Sequence, residues 1–238
     1  AAAVGDAIYV SGGYDGKKRL SSAEAYAPPQ PHIPNKFRYI TFDEPETDLG
    51  PIRGIFDDEK NPVVSIKKAV ASLPLELESE LYVANQFMNR PTTKEKMEKY
   101  SGLTPCMVAA IYLYTMESDL YKDLNELLRG EDRAKLLGTP GNSFFPYIRL
   151  LFSAVRIMSS SQMKMINRGI PLDLVAKYPD KYAEGETLIW WAFSSCTSKL
   201  SVLENPQFLG TQGARTICQI HTSKSVDVKE FSALSIEA

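Results

Sequence analysis

The hydrophobic period changes once along this chain, from helical to strand-like, and that change excludes most folds. Between residues 65 and 158 apolar residues recur at helical spacing; from Met163 onward they alternate. Helices first and strands second predict an α+β fold, because a parallel sheet needs the two kinds of element interleaved. No G-x-G-x-x-G opens a helix after a strand, so a dinucleotide bound here is not bound by a Rossmann fold.

The individual elements follow from local signals. Residues 65–73 predict a short helix stopped by Pro74, and 77–88 a second one. Thr92 with Glu95 has the form of a capping box for the next. Thr104 and Pro105 read as N-cap and first-turn proline of a helix running through Tyr114. Residues 119–129 set Leu120, Leu124, Leu127 and Leu128 on one face, and Gly130 ends the run. A longer apolar helix is predicted over 143–158, with Pro146 tolerated in its first turn. Strands are predicted over 163–170, 187–196 and 214–221, and one more begins within 231–238.

With 238 residues and 44% hydrophobic content, the chain can build one good core with an appended element. Its net charge of −2 and the lack of a basic stripe interleaved with aromatics argue against a nucleic-acid partner. No apolar run approaches the ~20 residues that span a bilayer. Residues 1–10 lack the charged and long apolar regions of a signal peptide. Cys106, Cys196 and Cys218 match no zinc spacing; their number allows one disulfide, and reduced core thiols are the preferred reading. His32 and His221 lie far apart in sequence, and nothing supports a metal site or a Ser-His-Asp site; His221, in an alternating run, reads as a strand residue.

The N-terminal stretch stands apart. Residues 7–10 are β-prone, Gly12-Gly13 breaks them, 14–16 make a turn and 20–26 alternate, giving a hairpin over 1–27. The double glycine followed by a spaced tyrosine resembles part of a kelch repeat. A kelch blade takes ~50 residues and several must close a ring, so this is about half a blade. By that resemblance the piece could contact another protein. Gly12 to Lys17 is not a phosphate loop, since Lys18 stands where Ser or Thr is required. Residues 28–36 hold four prolines in nine positions and read as an extended linker, so the main domain is expected over 37–238.

Three pieces carry chemistry. Arg168 sits near a predicted strand end, where its planar fork can meet a pyrophosphate, and Gly169 beside it would let a phosphate approach. In Trp190-Trp191-Ala192-Phe193-Ser194-Ser195-Cys196-Thr197-Ser198 bulky apolar residues give way abruptly to small hydroxyls, a pattern that can anchor in a core and present hydroxyls in a cleft. Glu237 could bind a guanidinium. Taken singly, each has an ordinary reading: a solvated arginine, a serine-rich loop, a surface glutamate.

Their order and spacing raise them above that. Arg168 to Ser195 is 27 residues and Ser195 to Glu237 is 42. Asn167-Arg168-Gly169-Ile170, Phe193-Ser194-Ser195-Cys196-Thr197 and Glu237-Ala238 together resemble the signature of arginine/serine/glutamate-type mono-ADP-ribosyltransferases. Residues 110–117, 120–129 and 208–217 extend the resemblance, which covers roughly 38–238. It implies a helical N-terminal half packed on a β-sandwich-like NAD core, NAD as co-substrate, no metal, and an acceptor protein that presents an arginine. It implies that Arg168 and Gly169 meet the NAD phosphates. Phe193, Ser194, Ser195 and Thr197 would line the NAD site, with Ser195 supporting the nicotinamide ribose and the glutamate. Glu237 would orient the acceptor arginine, and a second glutamate would immediately follow Ala238, so residues 1–238 alone are expected to fold and to be nearly inactive. Asn167, where an aromatic residue often stands, and the Cys196 thiol within the hydroxyl run depart from the family pattern. The histidine/tyrosine/glutamate class fits less well, as no histidine lies near Arg168. The rival reading is a non-catalytic interaction module made of a kelch fragment and a transferase-like fold.

Overall fold

The computed structural model describes residues 13–14 and 52–234, apart from 130–132, 161, 187, 189, 191 and 207. The remaining parts of the kelch-like hairpin and the proline-rich linker lie outside the described residues, as do Gly130 and residues 235–238, Glu237 among them. The described chain falls into two compact units, one from 52–159 with 226–234, the other from 13–14 with 160–225.

The first unit is helical: α1 (Ile66–Ala71), α2 (Glu78–Met88), α3 (Pro91–Met97), α4 (Pro105–Thr115), α5 (Asp119–Arg129), α6 (Arg133–Leu137) and α7 (Phe145–Met158). Ser65 caps α1 by accepting from the Lys68 N–H; Thr104 caps α4 by accepting from the Met107 N–H, and this second cap is the one the sequence predicts. The Thr92–Glu95 capping box does not form. α3 starts earlier, with Arg90 as N-cap and Pro91 in the first turn. Proline has no N–H to satisfy and its φ is already helical, so it takes the first position and Thr92 falls inside the helix.

α4 is buried from Met107 through Ile111 and again at Leu113, and it packs against both α2 and α7. An apolar helix buried on nearly every side sits at the centre of its unit. α5 is its opposite, an amphipathic helix burying Leu120, Leu124 and Leu128 and turning its charged face outward. Tyr147 of α7 is fully buried and donates its hydroxyl to the Ala110 carbonyl of α4 at 2.7 Å. Also on α7, Arg149 is 6% exposed; it pairs with Asp58, donates its Nε–H to the Asn61 carbonyl at 3.1 Å and lies over the Phe56 ring. These contacts join the turn at 52–61 to the helices.

The segment 226–234 belongs to this helical unit. Phe231 is wholly buried and meets Tyr100 edge-on. Lys99 bridges to Glu230 at 2.7 Å, and the Ala233 N–H donates to the Thr115 hydroxyl at 2.8 Å. The predicted strand over 231–238 is not present in its described part: residues 231–234 form turns, and the Phe231 N–H bonds back to Val228. Burial of Phe231 in the helical core, with no partner strand beside it among the described residues, decides that conformation.

The second unit is built on one antiparallel sheet of β1 (Gly13–Tyr14), β2 (Lys164–Ile170) and β3 (Arg215–Thr222), in the order β1-β3-β2. Two short helices, α8 (Leu174–Lys177) and α9 (Leu200–Leu203), complete it. The β-sandwich-like core expected from the sequence is represented, among the described residues, by this sheet. β2 and β3 pair along their length, from Lys164 opposite Thr222 to Ile170 opposite Thr216. β3 buries Thr216, Cys218, Ile220 and Thr222, one face of an alternating strand. Thr216 is satisfied there: its hydroxyl donates to the Leu172 carbonyl and accepts from the Leu174 N–H, positioning α8. The strand predicted over 187–196 does not form among its described residues. At its end and just beyond it, side chains bond locally instead. The Thr197 hydroxyl accepts from the Lys199 N–H, and the Cys196 thiol donates to the Ser194 carbonyl. Such local bonds compete with a ladder.

Candidate active site

Arg168 lies on β2 opposite Cys218 of β3. Directly opposed residues in an antiparallel pair share a face, so the guanidinium projects on the face that β3 buries. On the other edge of β2 runs the serine-rich segment. It touches the strand at one antiparallel bridge, where the Asn167 N–H donates to the Thr197 carbonyl at 2.7 Å and the Thr197 N–H returns the bond at 2.9 Å. That bridge brings Arg168 and the hydroxyl run together across 27 residues of sequence. The Arg168 Nη1 group donates to the Ser195 carbonyl at 3.3 Å, and its guanidinium carbon lies 5.6 Å from the centre of the Trp190 ring.

Asn167 does more here than the sequence suggests. It is 4% exposed, and its side-chain amide adds a second, longer bond to the Thr197 carbonyl at 3.4 Å. A phenylalanine at this position could not make that bond. No sequence pattern marks Asn167 for the task, because its partner is fixed only by the fold. Trp190 likewise carries no sequence signal beyond that of an apolar anchor.

The other expected site residues fall as follows. Ser195 is exposed, whereas Phe193, Ser194 and Thr197 are half-buried. Gly169 faces the loop after α9: a Cβ built on it would come within 2.8 Å of the Leu209 side chain. The missing side chain therefore makes room for Leu209. That loop is fastened by Arg215, which donates to the Gly213 carbonyl at 3.0 Å and the Gly210 carbonyl at 2.6 Å. Glu237 lies outside the described residues.

Two thiols flank Arg168, Cys218 across β3 and Cys196 beside the bridge. Burial raises both, against the pull of the arginine's charge, and Cys218 is pushed up from 9.0 to about 11. The consequence is testable. Between about pH 9 and about pH 11 the unfolded chain releases this proton while the folded chain keeps it. The native state then binds more protons, so stability falls as pH rises through that window and is fully present below it. Urea unfolding at about pH 8 and about pH 11 should show a loss on the order of 2–3 kcal/mol that is smaller in Cys218→Ala.

A family profile described as NAD:arginine ADP-ribosyltransferase matches residues 65–238, most of the chain. The chain belongs to that family. A kelch motif matches residues 1–29. The transferase fold is supported independently by a solved structure, that of the eucaryotic mono-ADP-ribosyltransferase ART2.2 in crystal form A. It is 17% identical, with a TM-score of 0.50 over 78% of this chain and 74% of that one. No curated protein matches the chain. Membership in the NAD:arginine ADP-ribosyltransferase family brings ADP-ribosyl transfer from NAD as the class of chemistry, and the α+β fold agrees with it. Among the described residues no group of three or more His, Cys, Asp or Glu side chains could hold a metal, and no helix is long and apolar enough to cross a membrane.

Proposed function

We propose that this protein transfers ADP-ribose from NAD to arginine side chains of acceptor proteins and releases nicotinamide. The observation that carries the reading is the clasp between Asn167 and Thr197, which holds the hydroxyl run against the strand that bears Arg168. In this reading the Arg168 guanidinium binds the NAD phosphates through charge-assisted bonds. Gly169 lies beside it at the phosphates, and the segment Phe193, Ser194, Ser195 and Thr197 lines the NAD site, with Ser195 supporting the nicotinamide ribose. The C–N bond between ribose and nicotinamide breaks, nicotinamide leaves with the bonding pair, and positive charge builds on the ribose as in glycoside hydrolysis. An acceptor guanidine nitrogen then bonds to the anomeric carbon and loses a proton. Glu237 binds that guanidine and orients it.

The test is transfer of labelled ADP-ribose from NAD to a small guanidine acceptor by the full-length protein. The parent should transfer. Glu237→Gln should lose about 10²-fold or more of transfer while NAD hydrolysis persists, because a neutral amide holds a guanidinium poorly but leaves the glycosidic bond exposed to water. Transfer to another side chain in place of guanidine would overturn the arginine assignment. Absence of both transfer and hydrolysis would favour the second reading, a non-catalytic interaction module, which the kelch match at 1–29 supports. In either reading we assign the kelch-like piece of 1–27 to contact with another protein, ahead of a linker at 28–36 and a transferase domain over 37–238.

A further inference from the structure

We infer that Trp190 is a positioning residue for Arg168, holding its guanidinium by one face so that the in-plane N–H edge stays open to an NAD phosphate. This rests on the reading of Arg168 as the phosphate-binding residue. The guanidinium has two separate binding surfaces, a π face and a rim of five N–H donors. The Arg168 guanidinium carbon lies over the Trp190 ring, 5.6 Å from its centre, and we assign the π face of the guanidinium to that contact. The Ser195 carbonyl takes one donor, at 3.3 Å. That carbonyl is itself held in place, since Thr197, two residues on, is clasped to Asn167 in both directions. Among the described residues no carboxylate pairs with Arg168. A carboxylate would order the side chain too, but it would compete with phosphate for the same N–H groups. An indole orders it without competing, because stacking and in-plane hydrogen bonding use perpendicular directions. The long arginine side chain then loses less freedom when NAD arrives, so the effect of Trp190 falls on NAD binding.

The experiment is NAD binding by calorimetry, with KM and kcat for NAD cleavage, on the full-length protein and on Trp190→Phe, Trp190→Leu, Arg168→Ala and the double variant Trp190→Leu with Arg168→Ala. Thermal melts report folding. Trp190→Phe keeps an aromatic face and should stay within about threefold of the parent; Trp190→Leu should weaken NAD binding about tenfold, with KM moving more than kcat. The double variant should bind no more weakly than Arg168→Ala alone, since the tryptophan acts only through the arginine. Three results overturn the inference: parental affinity in Trp190→Leu, equal losses in the Phe and Leu variants, or penalties of Trp190→Leu and Arg168→Ala that multiply. If Trp190→Leu does not fold, Trp190→Met takes its place with the same expected outcomes. Parental affinity in Arg168→Ala would remove the underlying reading of Arg168 and this inference with it. Loss in Arg168→Ala beside parental affinity in Trp190→Leu would remove this inference alone.

Discussion

Replacing Arg168 with alanine is expected to lower kcat/KM for NAD by about 10²–10³-fold, the usual cost of deleting one preorganised charged donor in a site. The side chain is only partly buried, and among the described residues it bonds to the Ser195 carbonyl and lies over the Trp190 ring. Melting should therefore change little, and the loss should be read in nicotinamide release. Arg168→Lys is the informative companion. Lysine keeps the charge but loses the planar fork and the flat face against Trp190, so it should recover only part of the activity. Full activity in the lysine variant would mean that charge alone is used at this position. Unaltered release in the alanine variant would separate Arg168 from the NAD site altogether.

Tyr147→Ala is expected to destabilise the helical unit by about 3–5 kcal/mol, the range for deleting a large side chain from a core. Tyr147 is fully buried on α7, and its hydroxyl reaches the Ala110 carbonyl on α4, the helix at the centre of that unit. Tyr147→Phe keeps the ring and removes one hydrogen bond, which costs about 1 kcal/mol. Urea unfolding of the two variants separates packing from hydrogen bonding. A second signature comes from the phenol. Burial pushes Tyr147 well above its ordinary value of 10.0, so the folded state keeps a proton that the unfolded chain releases at high pH. The parent should lose stability above about pH 10, and Tyr147→Phe should lose less. Equal destabilisation by Ala and Phe would mean that the hydroxyl bond outweighs the packing of the ring.

Much of this protein was legible in its residues. Thr104-Pro105 opens α4, the leucines of α5 pack as their spacing predicts, and β2 and β3 lie within two residues of the expected strands, because caps and periodicity are local and need no knowledge of the rest of the chain. The order of Arg168, the serine run and Glu237 pointed to the transferase family, which the match over 65–238 bears out. The local signals failed where two choices were close in energy. Thr92 yielded to Pro91 as the start of α3, and the described residues of the segment predicted as a strand over 187–196 form none, with the Cys196 thiol bonding to the Ser194 carbonyl.

The sequence by itself determined the helix-then-strand order and the α+β class, since each depends on residue types at short separations. Only the tertiary structure decided that Asn167 clasps Thr197, that Trp190 backs Arg168, that Leu209 fills the space beside Gly169 and that Phe231 is buried among the helices. Those four facts join residues or elements far apart in the chain. A contact across such a distance exists only after the backbone has closed the intervening loop, and no local propensity specifies which partner waits on the other side.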